Sequence, residues 1–131
     1  FEEAGANVIE CADSSMGMSQ SLKAGVQKSD KCDGWVVALA DMPFVLPDTI
    51  KLVATSINTN TPFIVPTYKG VDGNPVGLSV AVKDDLSEIK GDKGARSLIS
   101  KNPELVKRVP TLDPGILKDI DTKEDVQKNL K

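Results

Sequence analysis

Asp41 is the residue whose type and setting point most directly to chemistry. It follows the apolar run Trp35-Val36-Val37-Ala38-Leu39-Ala40, and Pro43, two positions on, cannot donate to a sheet ladder, so a strand here has to stop. If the run is a buried strand, Asp41 stands at the carboxyl edge of its sheet. A carboxylate so placed can hold a magnesium ion, which takes one or two protein carboxylates and completes its shell with water and phosphate oxygens. The same spacing equally allows Asp41 to do no more than cap a turn before the proline.

A second acidic group, Asp119-Ile120-Asp121-Thr122-Lys123-Glu124-Asp125, sets two carboxylates either side of one apolar residue. With Ile120 turned into the core, Asp119 and Asp121 would share the opposite face of an extended segment and offer further metal ligands. Capping of a following helix, with acids complementing its dipole, explains the same residues without a metal.

Three more segments could meet a polar ligand. Gly17-Met18-Ser19-Gln20-Ser21-Leu22 puts small residues and hydroxyls where a helix would begin, with unpaired N–H groups, although Ser19 alone could serve as a plain N-cap. Gly73-Asn74-Pro75-Val76-Gly77 is a tight turn feeding a strand. Gly91-Asp92-Lys93-Gly94-Ala95-Arg96 combines glycines with two cations, a pattern that suits an anion such as phosphate or else a solvated helix start.

The elements that must position these groups alternate. Helix signals cover 19–28, 47–57, 84–89, 93–100 and 122–130, and strand signals cover 7–11, 34–40, 63–65, 76–82, 106–109 and 116–120. Residues 34–40 read as the central strand, covered on both faces, and Leu52 and Val53 as the inward face of the second helix. Strands alternating with helices predict a mostly parallel sheet with helices on both faces and a ligand at the carboxyl ends of its strands. At 131 residues one domain is expected over 1–131.

Composition excludes several classes. Apolar residues make up 40% and charged residues 27%, no apolar run approaches a membrane span, and the scattered basic residues leave no nucleic-acid footprint. Histidine is absent and Cys11 and Cys32 lack zinc-ligand spacing, so zinc and imidazole acid/base chemistry are disfavoured. Two reduced, buried thiols and a cytoplasmic location are expected. Trp35 and Tyr68 read as packing residues and not as stacking platforms.

Four of these segments, in this order, resemble the molybdenum cofactor cytidylyltransferases within the wider group of MobA-like nucleotidyltransferases. They are Gly17 to Leu22 with Gly25, Leu39-Ala40-Asp41-Met42-Pro43-Phe44-Val45, Gly91 to Arg96, and Asp119 to Asp125. The resemblance implies a Rossmann-like three-layer α/β/α domain that joins a nucleoside monophosphate, CMP by preference, from CTP or GTP to the phosphate of molybdopterin and releases pyrophosphate with magnesium. It implies Asp41 as the catalytic magnesium ligand, completed by Asp119 or Asp121. Gly17, Ser19 and Ser21 would contact the nucleotide, and Asn74, Pro75, Asp92, Lys93 and Arg96 the acceptor, with a molybdenum hydroxylase as a partner.

Two departures qualify this. Asn74 stands where the family usually has the histidine of Gly-His-Pro, which removes any role needing imidazole protonation. The family's first strand and glycine-rich loop, which bind the triphosphate, are not in this chain, so the resemblance implies the C-terminal part of a domain. Such a chain is expected to be inactive by itself and to expose sheet edges that favour a homodimer. A non-catalytic module that holds molybdenum cofactor for insertion, and a transferase acting on a sugar phosphate or another small phosphorylated acceptor, are the competing readings.

Overall fold

The computed structural model describes residues 18–29, 31–89 and 94–119. The strand expected at 7–11, the helix at 122–130, and Gly17, Asp92, Lys93 and Asp121 lie outside them.

The described chain runs α1 (Met18–Lys28), β1 (Gly34–Val37), α2 (Pro47–Ser56), β2 (Phe63–Tyr68), β3 (Val71–Asp72), β4 (Val76–Ser79), α3 (Lys83–Leu86), α4 (Ala95–Lys101) and β5 (Val106–Pro110). Short 3-10 turns follow β4, precede β5 and span Pro114–Leu117. The strands form one sheet in the order β1-β4-β2-β3, with β5 on the other side of β2. β2 pairs in parallel with β5, whereas β4 is antiparallel to both β1 and β2, and β3 is antiparallel to β2. It follows that β1, β2 and β5 run one way and β3 and β4 the other.

The sheet is therefore mixed, against the mostly parallel sheet expected, and the reason is connection length. A parallel partner needs a crossover of a dozen residues or more, and residues 69–75 are too few. The chain instead reverses at Lys69-Gly70, both at positive φ (50° and 79°), as the tightest hairpin turns require. It pairs briefly as β3 and enters β4 from the same end of the sheet.

β2 is buried along nearly its whole length because its alternating side chains meet helices on both faces. Phe63 and Val65 join Val76, Leu78, Val82, Leu86, Leu98 and Ile99 in the larger cluster, to which α1 adds Val26 and, less deeply, Leu22. Ile64 points the other way, into Val53 of α2 and Val109 of β5. Removing a buried side chain such as Phe63 or Leu78 would cost about 2–5 kcal/mol. On α2, Thr49 and Val53 face inward at helical spacing, while Leu52, expected inside, is 37% exposed.

Other expectations need correction. β1 ends at Val37, is half-buried, and is the outermost of the described strands on its side, not the central one. The strand expected at 76–82 closes at Ser79, whose hydroxyl accepts from Ala81 N–H and starts a 3-10 turn. Residues 116–120 do not form a strand where described, since Pro114–Leu117 is a 3-10 turn. Cys32 is free, as expected of a reduced thiol, but exposed, and its thiol donates to the Ser29 carbonyl. Trp35 packs against the larger cluster, its indole N–H on Ser29, and Tyr68 lies under the Lys69 ammonium.

Candidate active site

The carboxyl ends of β1, β2 and β5 lie at one end of the sheet. Register places Val37 opposite Val76, and Thr67 opposite both Asp72 and Pro110. The segments leaving β1 and β5 therefore gather there with the one entering β4. They enclose a cleft of ≈ 240 Å³ lined by Leu39, Asp41, Met42, Asp72, Gly73, Asn74, Ile116, Leu117 and Asp119. Asp41, Asn74 and Asp119, separated widely along the chain, thus share one polar hollow.

Asp41 and Asp119 are both exposed, and neither carboxylate has a hydrogen bond or ion pair among the described residues. The third acid of the cleft, Asp72, is already engaged. Arg108 of β5 grips it with two parallel bonds, Nε to Oδ1 at 2.9 Å and Nη2 to Oδ2 at 3.1 Å. That hydrogen bond and the charge of Asp72 push the guanidinium pKa up further. No three Asp, Glu, Cys or His side chains among the described residues converge to enclose a metal ion by themselves. The donor set that remains open, hard carboxylate oxygens beside an amide, suits a magnesium or manganese ion that completes its shell with water and phosphate oxygens.

Pro75 is fully buried and does not line the cleft, so within its motif Gly73 and Asn74 are the residues that line it. Arg96, expected at the acceptor, donates from Nη2 to the Gly73 carbonyl at 2.6 Å. Ser21, exposed on α1, lies instead in a second, mainly apolar hollow of ≈ 420 Å³ with Leu22, Val26, Trp35, Val37 and Ala95. The two hollows meet at Leu39, which lines both. Ser19 falls in the first turn of α1.

A residue that sequence reasoning passed over, Asp113, holds one side of the cleft in place. It is 3% exposed, and its carboxylate accepts from Leu46 N–H at 2.8 Å, Thr49 Oγ1 at 2.7 Å and Gly115 N–H at 2.8 Å. Burial pushes the carboxyl up, but the bonds from Thr49, Leu46 and Gly115 outweigh it and hold the pKa below the ordinary value. Asp113 thereby ties the start of α2, at Leu46 and Thr49, to the 114–117 turn. Asp113-Pro114-Gly115 was a readable signal, because aspartate before proline and glycine favours a side-chain-capped turn.

The sequence profile of the MobA-like NTP transferase domain matches residues 1–107. The chain is 33% identical over 119 residues to the purine catabolism protein PucB of Bacillus subtilis (strain 168), a match that covers 88% of this chain and 57% of PucB. Among solved structures it resembles the homologue of Mycobacterium tuberculosis Rv0371c from Mycobacterium sp. strain JC1 (TM-score 0.72, 26% identity, 95% of this chain and 59% of that one). It also resembles Rv0371c of Mycobacterium tuberculosis H37Rv itself (TM-score 0.73, 26% identity, 86% and 58%). A structure of Rv0371c in complex with manganese gives a TM-score of 0.69 at 27% identity, over 82% of this chain and 58% of that one. The chain thus spans under three-fifths of the length of each of these relatives.

Proposed function

The chain belongs to the MobA-like NTP transferase family, and we propose that the complete protein transfers CMP from CTP to the phosphate of molybdopterin and releases pyrophosphate. The observation that carries this reading is the cleft shared by Asp41 and Asp119 at the carboxyl edge of the sheet. Two uncompensated carboxylates there would repel a polyphosphate unless a divalent cation lies between them.

In this reading Asp41 is the principal ligand of a magnesium ion, with Asp119 or Asp121 beside it, and the manganese bound by Rv0371c supports a hard divalent cation. When bound, the cation supplies charge neutralisation on the phosphate oxygens. An acceptor phosphate oxygen bonds to the α-phosphorus of the nucleotide as the bond to the bridging oxygen breaks, and pyrophosphate leaves. The acceptor is already anionic, so the chain needs no strong base, consistent with a sequence that has no histidine. Asn74 contributes hydrogen bonds to the acceptor and no proton. Gly17, Ser19 and Ser21 contact the nucleotide, and Asp92 and Lys93 lie toward the acceptor.

The complete domain is read as a Rossmann-like three-layer fold. The name of PucB suggests a purine-catabolic setting here as well, with a molybdenum hydroxylase as the user of the finished cofactor.

Incubation of the complete protein with magnesium, CTP or GTP, and molybdopterin should release pyrophosphate, and Asp41→Asn should abolish the release. Turnover that survives in the Asn variant overturns the assignment. Cofactor binding without pyrophosphate release would favour a carrier instead.

A further inference from the structure

Between β3 and β4 the wall of the cleft is Gly73-Asn74, and three separate parts of the fold hold it. Gly73 N–H donates to the Pro66 carbonyl of β2 at 2.8 Å, and Asn74 N–H donates to the Ile116 carbonyl at 3.0 Å. Arg96, in the first turn of α4, donates from Nη2 to the Gly73 carbonyl at 2.6 Å. The Gly73 carbonyl and the Asn74 N–H belong to one peptide unit, so that unit is pinned from α4 on one side and from the 114–117 turn on the other. Asn74 lines the cleft that holds Asp41 and Asp119, and its side-chain amide, by contrast with its backbone, has no hydrogen bond among the described residues.

A guanidinium kept for an anionic ligand would present its fork to a hollow. Arg96 lines neither the polar nor the apolar one, and it spends a short charge-assisted bond on a backbone oxygen. There is little slack at the point it grips, because a Cβ added to Gly73 would come within 2.7 Å of Ile116. We infer that Arg96 is a positioning residue. It fixes the Gly73-Asn74 peptide, and through it the direction of the Asn74 amide in the cleft, and it does not grip a substrate phosphate itself.

The kinetic arm of the test rests on the nucleotidyl-transfer reading, and the exchange arm does not. In the complete protein, amide hydrogen exchange at Gly73 and Asn74 should quicken by roughly tenfold to a hundredfold in Arg96→Gln, the size expected from losing one charge-assisted bond. Arg96→Lys, which keeps one cationic donor, should fall between the two. Exchange at these amides that does not change in Arg96→Gln overturns the inference whatever the enzyme does.

With magnesium, CTP and molybdopterin, Arg96→Gln and Asn74→Ala should each lower kcat/KM for molybdopterin by roughly tenfold or more with the KM for CTP nearly unchanged. The double variant should be no worse than the weaker single, because both changes disable the same wall. Additive losses, or a raised KM for CTP in Arg96→Gln, would mean that Arg96 binds substrate directly and would refute the positioning role. A wild-type protein that releases no pyrophosphate would sink the functional reading alone, and the exchange rates would still decide the role of Arg96.

Discussion

Asp113 and Asp41 are the same residue type in neighbouring parts of one fold, and their surroundings give them opposite roles. Asp113 is buried, and three donors from the protein engage both oxygens of its carboxylate. At 3% exposure it is closed to a ligand, and its bonds hold α2 against the 114–117 turn. Asp41 and Asp119 face a cleft and have no donor among the described residues. A carboxylate satisfied by the protein is structural, and one left open at the carboxyl edge of a sheet is available for a cation and its phosphates.

Crossed substitutions would break this contrast most visibly. In the complete protein Asp41→Asn should cut pyrophosphate release by roughly a thousandfold or more, as loss of a metal ligand worth several kcal/mol implies, while leaving the urea midpoint unchanged. Asp113→Ala should act first on stability. It strands the buried Thr49 hydroxyl and Gly115 N–H and the half-buried Leu46 N–H, so stability should fall by about 2–4 kcal/mol in urea denaturation.

The pH dependence sharpens the same comparison. A carboxyl whose pKa is lowered in the folded state contributes stability that is fully present above its unfolded value, about 3.9, and is lost as pH falls through the folded value. Urea midpoints measured from about pH 5 downward should therefore drop in the wild type below about pH 4. In Asp113→Asn that part of the slope should disappear, and an unchanged slope would remove Asp113 from the account.

A smaller effect is expected at Gly73→Ala. The new methyl would meet Cγ1, Cδ1 and the carbonyl oxygen of Ile116, each 2.7 Å from the added carbon, so the 114–117 turn must shift. Overpacking of this kind costs about 1–3 kcal/mol, and by displacing the segment that carries Asp119 it should also weaken manganese binding in a titration. Smallest of all is Arg108→Gln. Its ion pair with Asp72 is exposed, so thermal stability should hardly move. Freeing the Asp72 carboxylate in the cleft should nevertheless tighten manganese binding by a small factor, and weaker binding would count against a cation site there.

Much of the fold was legible because local signals were strong. The apolar runs at 34–40 and 63–65 are strands, at least in part, and Pro47 opens α2 at its first turn. Asp41 could be placed because Pro43 bars continuation of the strand whatever its neighbours. The direction of β4 was misjudged because alternation of strand and helix was read ahead of loop length, although the few residues at 69–75 already excluded a crossover. Residues 116–120 were misread as a strand because an apolar pair looks alike in a strand and in a 3-10 turn, and the buried hydrogen bonds of Asp113 decide between them.

The sequence by itself determined the chemistry on offer: oxygen ligands without imidazole, two acidic segments, and an apolar strand that must end before Pro43. Only the tertiary structure decided which of these groups meet. Antiparallel entry into β4 brings Asn74 to the end of the sheet where Asp41 and Asp119 stand, and the pairing of Asp72 with Arg108 removes the third acid of the cleft. Those outcomes depend on contacts between residues far apart in the chain, whose free energy comes from packing and desolvation that no local pattern encodes.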